Sequence, residues 1–99
     1  MRYSIDQIRS IVEPYARKYG AERVWLFGSY ARGEASASSD IDLRIDKGSI
    51  RGLQFAGLLG DLQDAFGTDV DLISTQGMDR AFLDAIEQDE VLLYERDIA

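Results

Sequence analysis

The stretch Val24–Ile45, VWLFGSYARGEASASSDIDLRI, limits the possible fold more than any other. It lies at the end of an apolar run, Ala21–Phe27, that reads as a short buried strand. Gly28 ends the run, and Ser29-Tyr30-Ala31-Arg32 suits a single helical turn closed by Gly33. Glu34–Ser39 is small and polar, hence loop. Asp40–Ile45 then alternates, with Ile41, Leu43 and Ile45 on one face and Asp40, Asp42 and Arg44 on the other. The link between the two strands is too short for a full crossover helix, so they are expected to lie antiparallel. An acidic pair on the open face of an otherwise apolar strand is unusual where helices cover the sheet.

The rest of the chain supplies covers and neighbours for that pair. Ser4-Ile5-Asp6-Gln7 is a capping-box signature ahead of Ile5, Ile8, Ile11, Val12 and Tyr15 at helical spacing. Pro14 lies inside the pattern and predicts a kink or break near Val12–Glu13, and Gly20 is a stop. Ser49 is placed to cap a second helix through Phe66, with Leu53, Ala56, Leu59, Leu62 and Phe66 inward. Gly52, Gly57 and Gly60 weaken it, so it must lean on packing, and Gly67 ends it. Asp69–Ile73 alternates again, with Val70 and Leu72 inward. Asp79–Gln88 reads as a helix and Val91–Tyr94 as a last short strand. The order α-β-(short α)-β-α-β-α-(β) predicts an α/β fold with a small mixed sheet and helices packed against it.

Several chemistries are excluded at once. The chain has neither Cys nor His, which removes thiolate metal sites, disulfides, Ser-His triads and His bases. No apolar run approaches the ~20 residues of a membrane span, and the N-terminus lacks a signal-peptide core. A cytoplasmic protein is expected, with no membrane partner. The net charge of −7 and the lack of a Lys/Arg cluster disfavour direct nucleic-acid binding and suit a basic protein partner.

Asp40 and Asp42, two apart on a strand, project from one face with Cα atoms ~6–7 Å apart. Held that way they repel, and a shared proton, an Arg or a divalent metal must compensate. Mg²⁺ takes one or two carboxylates with substrate phosphates and water. A third carboxylate on a neighbouring strand would complete a two-metal site, with ions ~3.5–4 Å apart. Asp71 or Asp69 can provide it. Asp71 is preferred because it stands between Val70 and Leu72 as an outward strand residue does. The Gly28-Ser29 bend exposes backbone N–H groups suited to phosphate oxygens, and Arg32 can reach a phosphate or pair with an Asp. Gly28 and Gly33 have Walker A spacing, but Glu34-Ala35 follow where that loop needs Lys-Ser/Thr. Taken singly, an Asp-x-Asp on a strand is usually a solvated edge and a Gly-Ser a mere turn. Ten residues separate Ser29 from Asp40, and that combined spacing with a later third Asp is what marks a site.

This pattern, GS-x10-DxD with V-D-L at Val70–Leu72, resembles the nucleotidyltransferase superfamily of DNA polymerase beta. The chain as a whole, residues 1–99, resembles a single minimal nucleotidyltransferase (MNT) domain of the antitoxin type. The resemblance implies the polymerase beta-like fold, with Gly28, Ser29 and Arg32 on the nucleotide. It implies two Mg²⁺ ions, or Mn²⁺, held by catalytic Asp40, Asp42 and Asp71. Attack on the α-phosphorus of ATP would expel pyrophosphate, with Asp71 taking the acceptor hydroxyl's proton. MNT proteins of this kind are commonly paired with a HEPN-domain toxin and adenylylate one of its tyrosines. The implied function is therefore an antitoxin-type protein adenylyltransferase. Two alternatives compete with it: an antitoxin that masks its partner by contact alone, and an enzyme modifying a small-molecule hydroxyl.

Overall fold

The computed structural model describes residues 2–97. Helix α1 (Ile5–Tyr19) is opened by the expected capping box, with the Ser4 hydroxyl accepting from the Gln7 N–H and the Gln7 side chain from the Ser4 N–H. Gly20, at φ +83°, closes it. The break expected at Pro14 does not occur, and α1 runs unbroken through it. The proline leaves the Ser10 carbonyl without its helical donor, but Ser10 is exposed and water can serve it. Ile8 and Val12 before the proline and Ala16 after it are all buried, so both halves are held to the same core.

Four strands follow the expected order: β1 (Arg23–Phe27), β2 (Ile41–Asp46), β3 (Val70–Ser74) and β4 (Val91–Glu95). The last three begin or end within a residue of expectation, while β1 starts two residues late. They form one sheet in the order β3-β2-β1-β4. β1 pairs antiparallel with both β2 and β4, and β2 pairs parallel with β3. The sheet is mixed, as the short β1–β2 link requires. That link contains the four-residue helix α2 (Gly28–Ala31) and a loop in which Ser36, Ser38 and Ser39 bond one another.

Helix α3 (Leu53–Phe66) corrects two expectations. It starts after Gly52, not at Ser49, and its buried face is Leu58, Leu62 and Phe66, flanked by Phe55 and Leu59. Leu53 is 91% exposed, and Ala56 is exposed too. The reason lies just upstream. Ile50 is fully buried, in a turn closed by its N–H on the Lys47 carbonyl, so the chain must climb out through Arg51-Gly52 before the helix begins. α1 and α3 pack side by side, tied by the Tyr19 hydroxyl donating to Asp61 at 2.7 Å. Beneath them lie Val24, Leu26, Ile41, Leu43, Ile45, Val70 and Leu93. Each such side chain contributes about 1.5–3 kcal/mol by burial.

The other face of the sheet carries the polar residues. Arg44, expected there beside the two acids, does not stand in solvent. It is 6% exposed, lies 3.7 Å from the Trp25 ring centroid, and donates to Glu90 at 2.8 Å. Trp25 is its strand partner, and Glu90 follows helix α4 (Arg80–Glu87). The turn after α4 thus closes over this part of the face. Arg44 Nε and Glu90 Oε2 have no protein partner among the described residues, and burial lifts the Glu90 carboxyl above its usual range despite Arg44. Glu90→Ala, which strands a buried guanidinium, is expected to cost about 3 kcal/mol. Arg44→Met with Glu90→Leu is expected to cost much less, and urea unfolding of the two variants reads the difference.

Candidate active site

The strand register assembles the site. Phe27 on β1 pairs with Asp42 on β2, and Asp42 pairs with Asp71 on β3. The three form a row across the sheet, on the face turned away from α1 and α3. Their spacing follows from the ~4.8 Å between neighbouring strands. The Asp42 and Asp71 carboxyl groups face each other across the parallel register, close enough for each to bear on the other's charge. Burial first, then Asp71 and Asp40, pushes the Asp42 carboxyl up to about 6, while Arg32 pulls the other way. Asp40 is exposed, just before β2, yet near enough for its charge to reach Asp42. Asp69 stands one residue before β3, outside the row, and its carbonyl accepts the Ile41 N–H.

The Gly28 backbone presses on this carboxylate. Its φ is +76°, and a Cβ placed there would overlap Asp42 Oδ2. Only glycine meets both conditions. The close approach that Gly28 permits in this structure is that of Asp42. Ser29 is half-buried in the same bend, and its carbonyl accepts the Glu34 N–H at 2.9 Å. Arg32 caps α2 and pairs with Glu34 at 2.9 Å, not with an Asp of the site. It is half exposed, so that pair is weak and free to exchange.

Gly28 therefore abuts Asp42, Asp71 stands beside Asp42 on the next strand, and Asp40 and Arg32 are near enough for their charges to reach it. Among the described residues no three acidic side chains are already drawn together into a cage for an ion. The donor set is nonetheless all hard oxygen, and two carboxyl groups held side by side are a place where a divalent cation can offset the repulsion between them. This suits Mg²⁺ or Mn²⁺ and excludes softer metals that need Cys or His. Sequence reasoning missed Phe27 as the third member of the row, because the helix and loop between β1 and β2 leave their register unfixed until the strands are seen paired. It also missed Glu90, and nothing in the sequence connects it with Arg44, 46 positions away.

A mixed four-stranded sheet that sets paired carboxyls from parallel neighbours against a Gly-Ser bend is the arrangement of a nucleotidyltransferase. Residues 9–99 match the family model "Polymerase beta, Nucleotidyltransferase". A candidate protein adenylyltransferase of Methanocaldococcus jannaschii is 30% identical over 89 residues, covering 89% of this chain and 96% of that protein. The protein adenylyltransferase MntA of Thermococcus cleftensis is 33% identical over 75 residues, covering 71% and 76%. A chain from a toxin–antitoxin crystal structure with AMP-PNP superposes with a TM-score of 0.76 over 89% of this chain and 73% of its own, at 21% identity. The chain belongs to the polymerase beta nucleotidyltransferase family, and it is a nucleotidyltransferase.

Proposed function

We propose that this nucleotidyltransferase is an antitoxin-type protein adenylyltransferase that moves AMP from ATP to a tyrosine hydroxyl of a HEPN-type toxin. The observation that carries the reading is the Asp42–Asp71 carboxyl pair abutting the Gly28-Ser29 bend. The names of the relatives support the class of reaction, and the toxin–antitoxin complex with AMP-PNP supports the setting. A cytoplasmic location fits an ATP-using enzyme, and no helix among the described residues is long and apolar enough to cross a membrane.

Each residue then has a task. Asp40, Asp42 and Asp71 would hold two Mg²⁺ ions, or Mn²⁺ in their place, and the metal would supply charge neutralisation during the transfer. Gly28 and Ser29 offer backbone and hydroxyl donors to the triphosphate, and Arg32 leaves Glu34 for a phosphate oxygen. The acceptor oxygen bonds to the α-phosphorus as the bond to the β-phosphate's bridging oxygen breaks. The hydroxyl proton passes to an Asp71 oxygen, and pyrophosphate leaves.

The test is intact mass spectrometry of the neighbouring gene's product, after incubation with ATP and Mg²⁺. A gain of one or more AMP units is expected. None is expected with the Asp40→Asn/Asp42→Asn variant, which should also fail to rescue cells from the toxin. Full rescue by that variant would replace covalent silencing with masking by contact.

A further inference from the structure

Three large apolar side chains stand more than a third exposed among the described residues: Leu53, Phe82 and Leu92. Of these, Phe82 is the one whose ring meets the catalytic row. It packs edge-on against Phe27, with centroids 6.0 Å apart and planes at 87°. Phe27 in turn is the strand partner of Asp42. The Phe82 N–H donates to the Asp79 cap at 2.8 Å, which fixes the start of the helix that carries the ring. The helix already has Leu83 for its own burial, so the exposed part of the Phe82 ring is not needed to dock α4. A part-exposed aromatic face packed on the catalytic row is a contact surface for a ligand.

Its surroundings say what kind. Asp84, Glu87 and Asp89 are exposed on α4 and the turn after it, against the single cation Arg80, which already pairs with Asp84. Asp89 is close enough for its charge to act on Arg32, so the acidic rim continues to the nucleotide side of the site. An approaching segment must therefore tolerate, and gains from, positive charge.

We infer that Phe82 sets acceptor specificity: its ring is the platform for the aromatic ring of an acceptor tyrosine carried on a basic segment. Edge-to-face packing on Phe82 holds the phenol so that its oxygen reaches the α-phosphorus beside Asp42 and Asp71. A serine or threonine has no ring to pack there. This assignment rests on the transfer reading above and adds the residue that selects the hydroxyl.

The experiment uses ATP labelled in the α-phosphate, Mg²⁺, and four synthetic peptides with a central Tyr or Ser flanked by Lys or by Glu. A HEPN-type toxin serves as a fifth acceptor. Wild type is expected to label the Lys-flanked Tyr peptide best. Phe82→Ala is expected to raise the KM for that peptide about tenfold. It should leave the KM for ATP nearly unchanged and bring the Tyr:Ser ratio toward one. Phe82→Trp should restore the preference. An unchanged Tyr:Ser ratio in Phe82→Ala overturns the assignment, and equal labelling of Lys- and Glu-flanked Tyr overturns the basic segment. Labelling of the toxin but of no peptide also overturns the platform and leaves the transfer reading standing. Labelling of neither overturns the transfer reading itself.

Discussion

Asp42→Asn will lose adenylyl transfer by about 10³-fold while melting higher than wild type in chelator at neutral pH. Both effects have one cause. Asp42 sits beside Asp71 with Asp40 near, part-buried, and its carboxyl is pushed up to about 6 from 3.8. A folded-state value above the unfolded one means that the native protein binds the proton more tightly. The stabilisation is complete below about pH 4 and is lost as pH rises through about 6. At full strength the displacement corresponds to ~3 kcal/mol, and solvent screening of this half-exposed site reduces it to about 1 kcal/mol. For a chain of this size that is roughly 4–8 °C in Tm. Asparagine resembles the protonated acid and carries no charge to repel. The two proteins should therefore melt together at pH 4 and separate by pH 7. Mg²⁺ should raise the wild type alone and shrink the gap. Differential scanning fluorimetry from pH 4 to 8, with and without Mg²⁺, reads all of this. A variant less stable than wild type in chelator at pH 7 would refute the strained acidic pair.

Gly28→Ala should be nearly as damaging to activity, by about 10²-fold, although glycine brings no chemistry of its own. The added Cβ falls on Asp42 Oδ2, and the φ of +76° is strained for any side chain. Either the carboxylate swings out of the row or the bend shifts, and each separates Asp42 from Asp71. The expected stability loss is about 1–3 kcal/mol. Gly33→Ala is the control. Gly33 has φ +73°, but a Cβ there meets nothing within 4 Å. It shares the backbone strain without the collision, so it should lose stability and keep most of its activity. Because Gly28→Ala acts through Asp42, combining it with Asp42→Asn should add little further loss. Independent, multiplying losses in a kinetic double-mutant cycle would show that Gly28 works some other way.

These residues were legible in the sequence because strands write their pattern at period two. Asp42 and Asp71 are each flanked by apolar neighbours, so each must face away from the core, and the tight link after Phe27 fixes which strands meet. Glycine and capping signals were equally local: Ser4, Gly20 and Gly67 work within a few residues of chain, and all three act as read. The misreadings arose where distant packing decides. Pro14 reads as a breaker until Val12 and Ala16 are seen pinned to one core. Leu53 fits a helical stripe by spacing alone, but Ile50 takes the buried place before the helix begins. Arg44 alternates correctly with the acids, and only Glu90 and Trp25 explain why a cation on that face is hidden. Phe82 reads in the sequence only as an apolar position of its helix, and nothing local tells that its ring meets Phe27.

The placement of β4 has a consequence for synthesis. β1 sits between β2 and β4, yet Arg23 and its partner Glu95 are 72 positions apart. On the ribosome the hairpin bearing Asp42 can close early, while the opposite edge of β1 waits for nearly all the remaining chain. At ordinary elongation rates of about 5–20 residues per second, that delay is on the order of several seconds. During it, a half-built sheet exposes unpaired backbone to any other nascent chain nearby. Translation speed between β2 and β4 therefore bears on yield, and Asp71 is made within that same interval.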